Sequence, residues 1–381
     1  MSKQQLLAEA VQAARLAFKP RTEFPDYNVL LAQLKGHQTK ALHHMQQLAP
    51  QINLVLELRD ARAPLSTSNV LIDKIFKNKS KIILYTKTDA SPITSELLQK
   101  WHDKRNEKFL RIDCRKTGDI TKVLKLLKKK HSEMFPPPPL GLRLMVAGMP
   151  NVGKSTLVNG LRKNGLAIER FRKVAQTGNH AGVTRNTSEI IRICSEPEIL
   201  LYDTPGVLLP QVNDIKTMLS LYLVGTVTPN GIDPVIAIDY LLYIMNLKDS
   251  SGKAYKKYSK FPTNDVYELL DGVGRVTKNK SFSSVHGRMT TNYTGCALEL
   301  VKLFQRGSLG KWCLDEAVVK KENADQFNQR IEQEKERLEN MDTKLNIGEI
   351  ESEKSSDSKK NKNSIQKRRE REFRQSNQLF L

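Results

Sequence analysis

The segment Gly148-Met149-Pro150-Asn151-Val152-Gly153-Lys154-Ser155 constrains this chain more than any other. It follows an apolar run at 142–147 and precedes a helical pattern at 154–163. Its two glycines, Gly148 and Gly153, let the backbone turn tightly, so that successive N–H groups converge on an anion. They do so at a helix N-terminus, where the dipole favours negative charge. Such a strand–loop–helix unit belongs to an α/β architecture, a doubly wound and mainly parallel sheet with the loop at the carboxyl end of a strand. In this pattern the backbone of Asn151, Val152 and Gly153 cradles phosphate. Lys154 reaches the β- and γ-phosphates, Ser155 offers its hydroxyl to Mg²⁺, and Thr156 continues the first helical turn.

Three further motifs sit at the ends of apolar runs. Asp203-Thr204-Pro205-Gly206 closes the run 198–202; Asp203 is expected to hold Mg²⁺ through water, and the Gly206 N–H to sense the γ-phosphate. Gly182-Val183-Thr184-Arg185 lies between the two phosphate motifs, which makes Thr184 the expected switch residue, on Mg²⁺ and on the attacking water. Thr86-Lys87-Thr88-Asp89 closes the run 81–85. A carboxylate there accepts two N–H bonds from guanine and would be left unsatisfied by adenine, a strongly discriminating arrangement. The Lys87 stem can lie over the base, and Thr86 stands where such motifs most often carry Asn. Asp113-Cys114-Arg115-Lys116, after the run 109–113, is the second base-contacting loop, with Cys114 and Arg115 at its centre.

The remaining pattern completes a nucleotide-binding sheet. Residues 52–58 and 189–194 read as further strands, and 95–104 and 119–130 as amphipathic helices. Pro136 to Pro139 form a stiff spacer. After Gly206 the chain changes character, with helices at 214–224, 234–246 and 292–306 and no strand pattern. The expected division is an N-terminal amphipathic segment at 1–24, a nucleotide-binding domain at 25–208, a smaller all-helical domain at 209–316, and a charged helix with a disordered basic tail at 317–381.

The motif order is the informative part: Thr86 to Asp89 precedes the phosphate loop instead of following it. In this the chain resembles the circularly permuted YlqF/YawG-type GTPases of ribosome assembly. Gly36-His37-Gln38-Thr39-Lys40-Ala41 is similar to that family's Gly-His-x-x-Lys-Ala signature, and Asp60-Ala61-Arg62-Ala63-Pro64 to its Asp-Ala-Arg-x-Pro. Leu34-Lys35 replaces the family's Phe-Pro before Gly-His. The resemblance spans about 24–309 and is strongest to the mitochondrial ribosome-associated branch. It implies GTP and GDP as ligands, Mg²⁺ as cofactor, a P-loop NTPase fold, and docking of the helical domain on rRNA of the large ribosomal subunit. It also implies a monomer in the mitochondrial matrix, with peripheral contact on the matrix face of the inner membrane. Val207 stands directly after Gly206, where many GTPases carry a water-positioning glutamine. A valine cannot orient water, so slow intrinsic hydrolysis, accelerated by a partner, is expected. Asn151 resembles the asparagine that lets some GTPases place K⁺ beside the phosphates, and His37 matches a family histidine proposed to act in hydrolysis. Each also has a purely structural reading.

Charge points towards a polyanion independently. The 381 residues carry a formal net charge of +21 and a pI near 9.7, more than solubility requires. Lys253, Lys256, Lys257, Lys260, Lys302, Arg306 and Lys311, with the tail cluster Lys367-Arg368-Arg369, are candidate phosphate contacts. Four scattered cysteines match neither a disulfide framework nor a zinc site and read as core thiols in a reducing compartment. Residues 1–25 fit either a mitochondrial presequence or an ordinary amphipathic helix; Glu9 and Glu23 weigh against the first. The longest apolar run, 235–247, is too short to span a bilayer and is interrupted by Asp239. Three alternatives remain open: a GTP-regulated switch on anionic membranes, an RNA-binding protein with a vestigial nucleotide site, and the same enzyme on a cytosolic or bacterial ribosome.

Overall fold

The computed structural model describes residues 18–27, 36–166, 190–208, 212, 214–227, 231–283, 288–320 and 324–341. Thr184 and the tail cluster 367–369 lie outside them, as does the side chain of His37. The chain divides into two compact units, Met1–Asn328 and Gln329–Leu381.

In the first unit a six-stranded sheet is built from β1 (Leu54–Asp60), β2 (Ser80–Thr86), β3 (Lys108–Arg111), β4 (Leu142–Gly148), β5 (Ile190–Ser195) and β6 (Glu198–Asp203), in the order β3-β2-β1-β4-β6-β5. All pairings are parallel except that of the edge strand β5 with β6. The chain runs outward from the centre through β1, β2 and β3, then returns to place β4 on the other side of β1. This reversal is the topological switch point at which such sheets bind ligands. Helices α1 (Gly36–Leu48), α2 (Val70–Ile75), α3 (Ser95–Asp103), α4 (Thr117–Ser132) and α5 (Lys154–Gly165) connect or cover the strands. Two of the starts are capped by side chains: Asn69 caps α2 by accepting from Leu71 N–H, and Thr94 caps α3 through Leu97 N–H.

Every residue of β1 is buried, as a central parallel strand requires. Three of them, Glu57, Arg59 and Asp60, are charged. Glu57 pairs with Arg59 at 2.6 Å and Lys81 at 3.0 Å, while Tyr85 Oη meets His102 Nε2 at 2.8 Å and His102 Nδ1 meets Glu107 at 2.8 Å. A charged layer this deep holds only because its members satisfy one another.

The region after Gly206 is mostly helical, with α6 (Ile215–Leu223), α7 (Pro234–Lys248), α8 (Val266–Thr277), α9 (Tyr293–Gln305) and α10 (Glu316–Val319), followed by α11 (Ala324–Met341). Two features depart from the sequence expectation of a purely helical region with three helices. One is α8. The other is an antiparallel hairpin of β7 (Lys280–Ser283) and β8 (Arg288–Thr291), whose strands are too short and polar to stand out as a pattern. The apolar run at 235–247 is α7, the buried central helix of this region, capped at its start by Asp233. No described helix is long and apolar enough to cross a membrane.

Asp239, which interrupts that run, is 3% exposed. It receives both terminal nitrogens of Arg21, at 2.6 and 3.0 Å, and Tyr27 Oη at 2.9 Å. Phe24 lies among Tyr27, Tyr240 and Tyr243. Residues 18–27 thus form a strap fastened to α7 through a partly buried ion pair. The cysteines are free, three of them buried and Cys114 half-buried.

Candidate active site at the carboxyl edge of the sheet

The parallel register gathers the motifs. Asp60 of β1 pairs with Thr86 of β2, Leu58 with Gly148 of β4, and Val146 of β4 with Asp203 of β6. Four strands therefore end along one edge, although their last residues lie up to 143 positions apart (60 to 203).

The phosphate corner is built on β4, α5 and β6. Gly153, at φ 101°, starts α5, and Lys154, Ser155 and Thr156 form its first turn. The Lys154 ammonium is buried and donates to the carbonyls of Met149 (2.7 Å) and Gly148 (3.2 Å). Burial pushes its pKa down to about 8, with the neighbouring Asp203 charge opposing. Burial likewise raises the Asp203 carboxyl, with Lys154 opposing. Asp203 Oδ1 is buried and has no hydrogen-bond partner among the described residues. An orphaned carboxylate oxygen on one strand and a serine hydroxyl after the adjacent strand are the hard oxygen donors that Mg²⁺ takes. The residues present fit that ion.

Next to it the chain is held tightly. Thr204 Oγ1 donates to Val146 O at 2.7 Å. A Cβ on Gly206 would stand 2.5 Å from Pro150 Cα and N, so only glycine allows this strand end to lie on the phosphate loop. Val207 N–H donates to Gly148 O at 3.2 Å, and its carbonyl accepts from Asn69 Nδ2 at 2.8 Å. The Val207 side chain is fully buried, clustered with Ala41, Leu42 and Met45 of α1. The residue in the glutamine position thus faces the core, against the helix that carries His37.

The guanine corner is already knitted together. Thr86 Oγ1 donates to Val152 O at 2.6 Å and lies 3.2 Å from Arg59 O, tying β2 to the phosphate loop. Lys87 adopts a left-handed conformation (φ 54°) and donates to Asn151 O at 2.7 Å while pairing with Asp60 at 2.9 Å. Asp89 Oδ2 meets Arg115 Nη2 at 2.5 Å, and Asp89 Oδ1 is buried with no hydrogen-bond partner among the described residues. Arg115 is also bonded to Asp113 through its N–H and Nε. Burial, with Asp113 nearby, pushes the Cys114 thiol up to about 12, and a Cβ on Gly153 would lie 3.7 Å from its sulfur. The two base-contacting loops and the phosphate loop are therefore one cluster. Asn151, at φ 58°, donates from Nδ2 to Gly225 O at 2.6 Å, at the C-terminal turn of α6.

Sequence reasoning gave no role to Asp60, Arg62, Asn69 or Gly225. The first two stood in a recognisable signature, but the signature carries no hint of its partners, which lie far along the chain.

A phosphate loop on a mainly parallel sheet, entered only after the base-reading strand, is the fold of the circularly permuted GTPases. Residues 143–271 match the family described as "50S ribosome-binding GTPase". Mitochondrial GTPase 1 of Saccharomyces cerevisiae is 44% identical over 287 residues, covering 70% of this chain and 77% of that protein. Mitochondrial GTPase 1 of Schizosaccharomyces pombe is 30% identical over 320 residues, covering 79% and 94%. Mitochondrial ribosome-associated GTPase 1 of Mus musculus is 30% identical over 299 residues, covering 74% and 90%. The chain belongs to this mitochondrial GTPase 1 family of circularly permuted GTPases.

Proposed function

We propose that this GTPase serves assembly of the large subunit of the mitochondrial ribosome, binding its rRNA through the region after Gly206 and being released or switched by hydrolysis. The observation that carries the reading is the kinship with proteins named for the mitochondrial ribosome, joined to the exposed basic residues of that region. Lys253, Lys256, Lys257, Lys260, Lys302, Arg306 and Lys311 are all exposed, and none is ion-paired among the described residues. Exposed unpaired cations on one region are what phosphate backbones select.

In this reading Asp89 and Lys87 read the guanine, with Thr86, Cys114 and Arg115 shaping its pocket. Lys154 and the N–H groups of Asn151, Val152, Gly153, Ser155 and Thr156 bind phosphate. Ser155, Thr184 and Asp203 hold Mg²⁺, which when bound neutralises phosphate charge. Gly206 N–H reports the γ-phosphate and leads directly into the helical region. Because Val207 is buried in the core, water activation comes from elsewhere: K⁺ at Asn151, or His37 on the helix that packs against Val207. Faster turnover in KCl than in NaCl, lost in Asn151→Ala, supports the first; loss of ribosome-stimulated turnover in His37→Ala supports the second.

The strap at 18–27 bears on targeting. If the amphipathic start is a presequence, cleavage falls ahead of Arg21, whose partly buried pair with Asp239 belongs to the folded protein. The deciding experiment is sedimentation with large mitochondrial subunits in GDP or a non-hydrolysable GTP analogue. Nucleotide-dependent co-sedimentation is expected. Binding to anionic vesicles and not to subunits would replace this reading with that of a membrane-surface switch.

A further inference from the structure

We propose that Asp60 and Arg62 are positioning residues that couple the guanine-reading loop to the C-terminal end of α9, so that nucleotide occupancy and the docking of α9 are read by one carboxylate. Asp60 is fully buried, and its two oxygens are shared out. Oδ1 accepts from Arg62 N–H (2.9 Å) and Nε (3.0 Å). Oδ2 takes Arg62 Nη2 at 2.8 Å and the Lys87 ammonium at 2.9 Å. Burial alone would raise this carboxyl, yet the Arg62 and Lys87 charges hold it well below the usual carboxylate range.

Arg62, 1% exposed, turns its other terminal nitrogen to the helical region. Nη1 donates to the carbonyls of Phe304 (3.1 Å) and Gln305 (3.3 Å), the last of α9, where the helix dipole is negative. Its guanidinium lies 5.2 Å from the Phe304 ring, and its own carbonyl accepts from Leu314 N–H at 2.7 Å.

A second arm leaves from Lys87. Its ammonium donates to Asn151 O, Asn151 Nδ2 donates to Gly225 O, and a Cβ on Gly225 would lie 3.2 Å from Gln305 Nε2. Both arms thus begin at Lys87, in the motif assigned to the base, and both end at the last turn of α9. A base settling against Lys87, or phosphate drawing on the loop at Asn151, changes how Asp60 Oδ2 is shared and where Gly225 sits. Buried charge cannot lose one partner without cost, so the change is passed on instead of absorbed. Coupling is reciprocal: a partner that seizes α9 must alter nucleotide affinity by the same factor.

The proposal rests on the GTPase class and not on the ribosomal partner, so protein and nucleotide suffice to test it. Amide hydrogen exchange at 303–308 is measured with and without GDP. In the wild type, GDP is expected to slow exchange there several-fold. Arg62→Lys keeps the charge but not the planar fork. It is expected to shrink that difference to less than about twofold and to weaken GDP binding by about tenfold. A merely structural Arg62 would lower thermal stability equally with and without GDP and leave the exchange difference intact. That result, or a wild type with no nucleotide response in α9, would overturn the coupling. Should Arg62→Lys fail to fold, Lys87→Met removes the ammonium shared by Asp60 Oδ2 and Asn151 O and so cuts both arms at their start; a full α9 response at saturating GDP in that variant sinks the proposal equally. Failure of the wild type to bind GDP at all would count instead against the nucleotide roles assigned above.

Discussion

The two corners of the nucleotide site are built in opposite ways. At the guanine corner each motif side chain already has a protein partner, Thr86 with Val152, Lys87 with Asp60 and Asn151, Asp89 with Arg115, and only the second carboxylate oxygen of Asp89 is left over among the described residues. At the phosphate corner charge is left over. Asp203 has an orphaned buried oxygen, Lys154 turns back on the carbonyls of its own loop, and burial displaces the pKa of both towards neutrality. A preformed base pocket gives selectivity, because its geometry does not adapt to a wrong base. An uncompensated phosphate pocket gives affinity, because Mg²⁺ and phosphate relieve an existing penalty.

If that contrast is right, the largest effect comes from the phosphate side. Lys154→Ala is expected to lower GTP and GDP affinity by at least about a hundredfold in a fluorescent-nucleotide titration, through loss of charge-assisted bonds. Affinity within a few-fold of wild type would break the contrast. Next is Asp89→Asn, which is expected to cut the GTP-over-ATP preference by about a hundredfold while leaving the fold intact by circular dichroism. A loss of affinity for all triphosphates alike would show that the guanine corner is not a reader.

Thr86→Val comes third. It preserves volume but leaves the Val152 and Arg59 carbonyls without the hydroxyl. Stability should fall by about 1–3 kcal/mol in denaturant unfolding, with nucleotide affinity down about tenfold. Unchanged stability would show that the tie between β2 and the phosphate loop carries no weight.

The smallest expected effect is on pH. Lys154 has a pKa of about 8 in the protein, and bound phosphate must raise it. Binding therefore takes up a proton above about pH 8 and none from this group well below it. GDP affinity should be flat from about pH 6.5 to 7.5 and then fall by up to about tenfold per unit, with proton uptake measured calorimetrically in buffers of different ionisation enthalpy. Against the ordinary value of 10.5, the same lowered pKa makes the folded protein more stable as pH rises from about 8, so Lys154 does not cause unfolding in that window. A flat affinity through pH 9 would sharpen the comparison by moving the uncompensated charge to Asp203 alone.

Much of the site could be read along the chain because its chemistry is local. The phosphate loop needs its glycines, lysine and serine within eight residues, and Thr86 to Asp89 needs a strand behind it; such constraints leave a written pattern. The helices α7 and α9 were legible for the same reason, through long apolar runs. The β7–β8 hairpin was not, since strands of four residues carry too little alternation to read. Asp239 was legible only as an interruption, because its explanation, Arg21, stands 218 positions away.

The sequence by itself determined the class, the permutation and the motifs to which nucleotide roles are assigned, since motif order and motif chemistry are properties of the chain. Only the tertiary structure decided what those residues are tied to. Parallel register brought Asp60 beside Thr86 and Asp203 beside Val146; burial set the charge balance of Lys154 and Asp203; and the packing of α9 gave Arg62 its second set of partners. Hydrogen-bond partners at separations of 242 and 243 residues leave no periodicity to read, because they depend on where two surfaces come to rest.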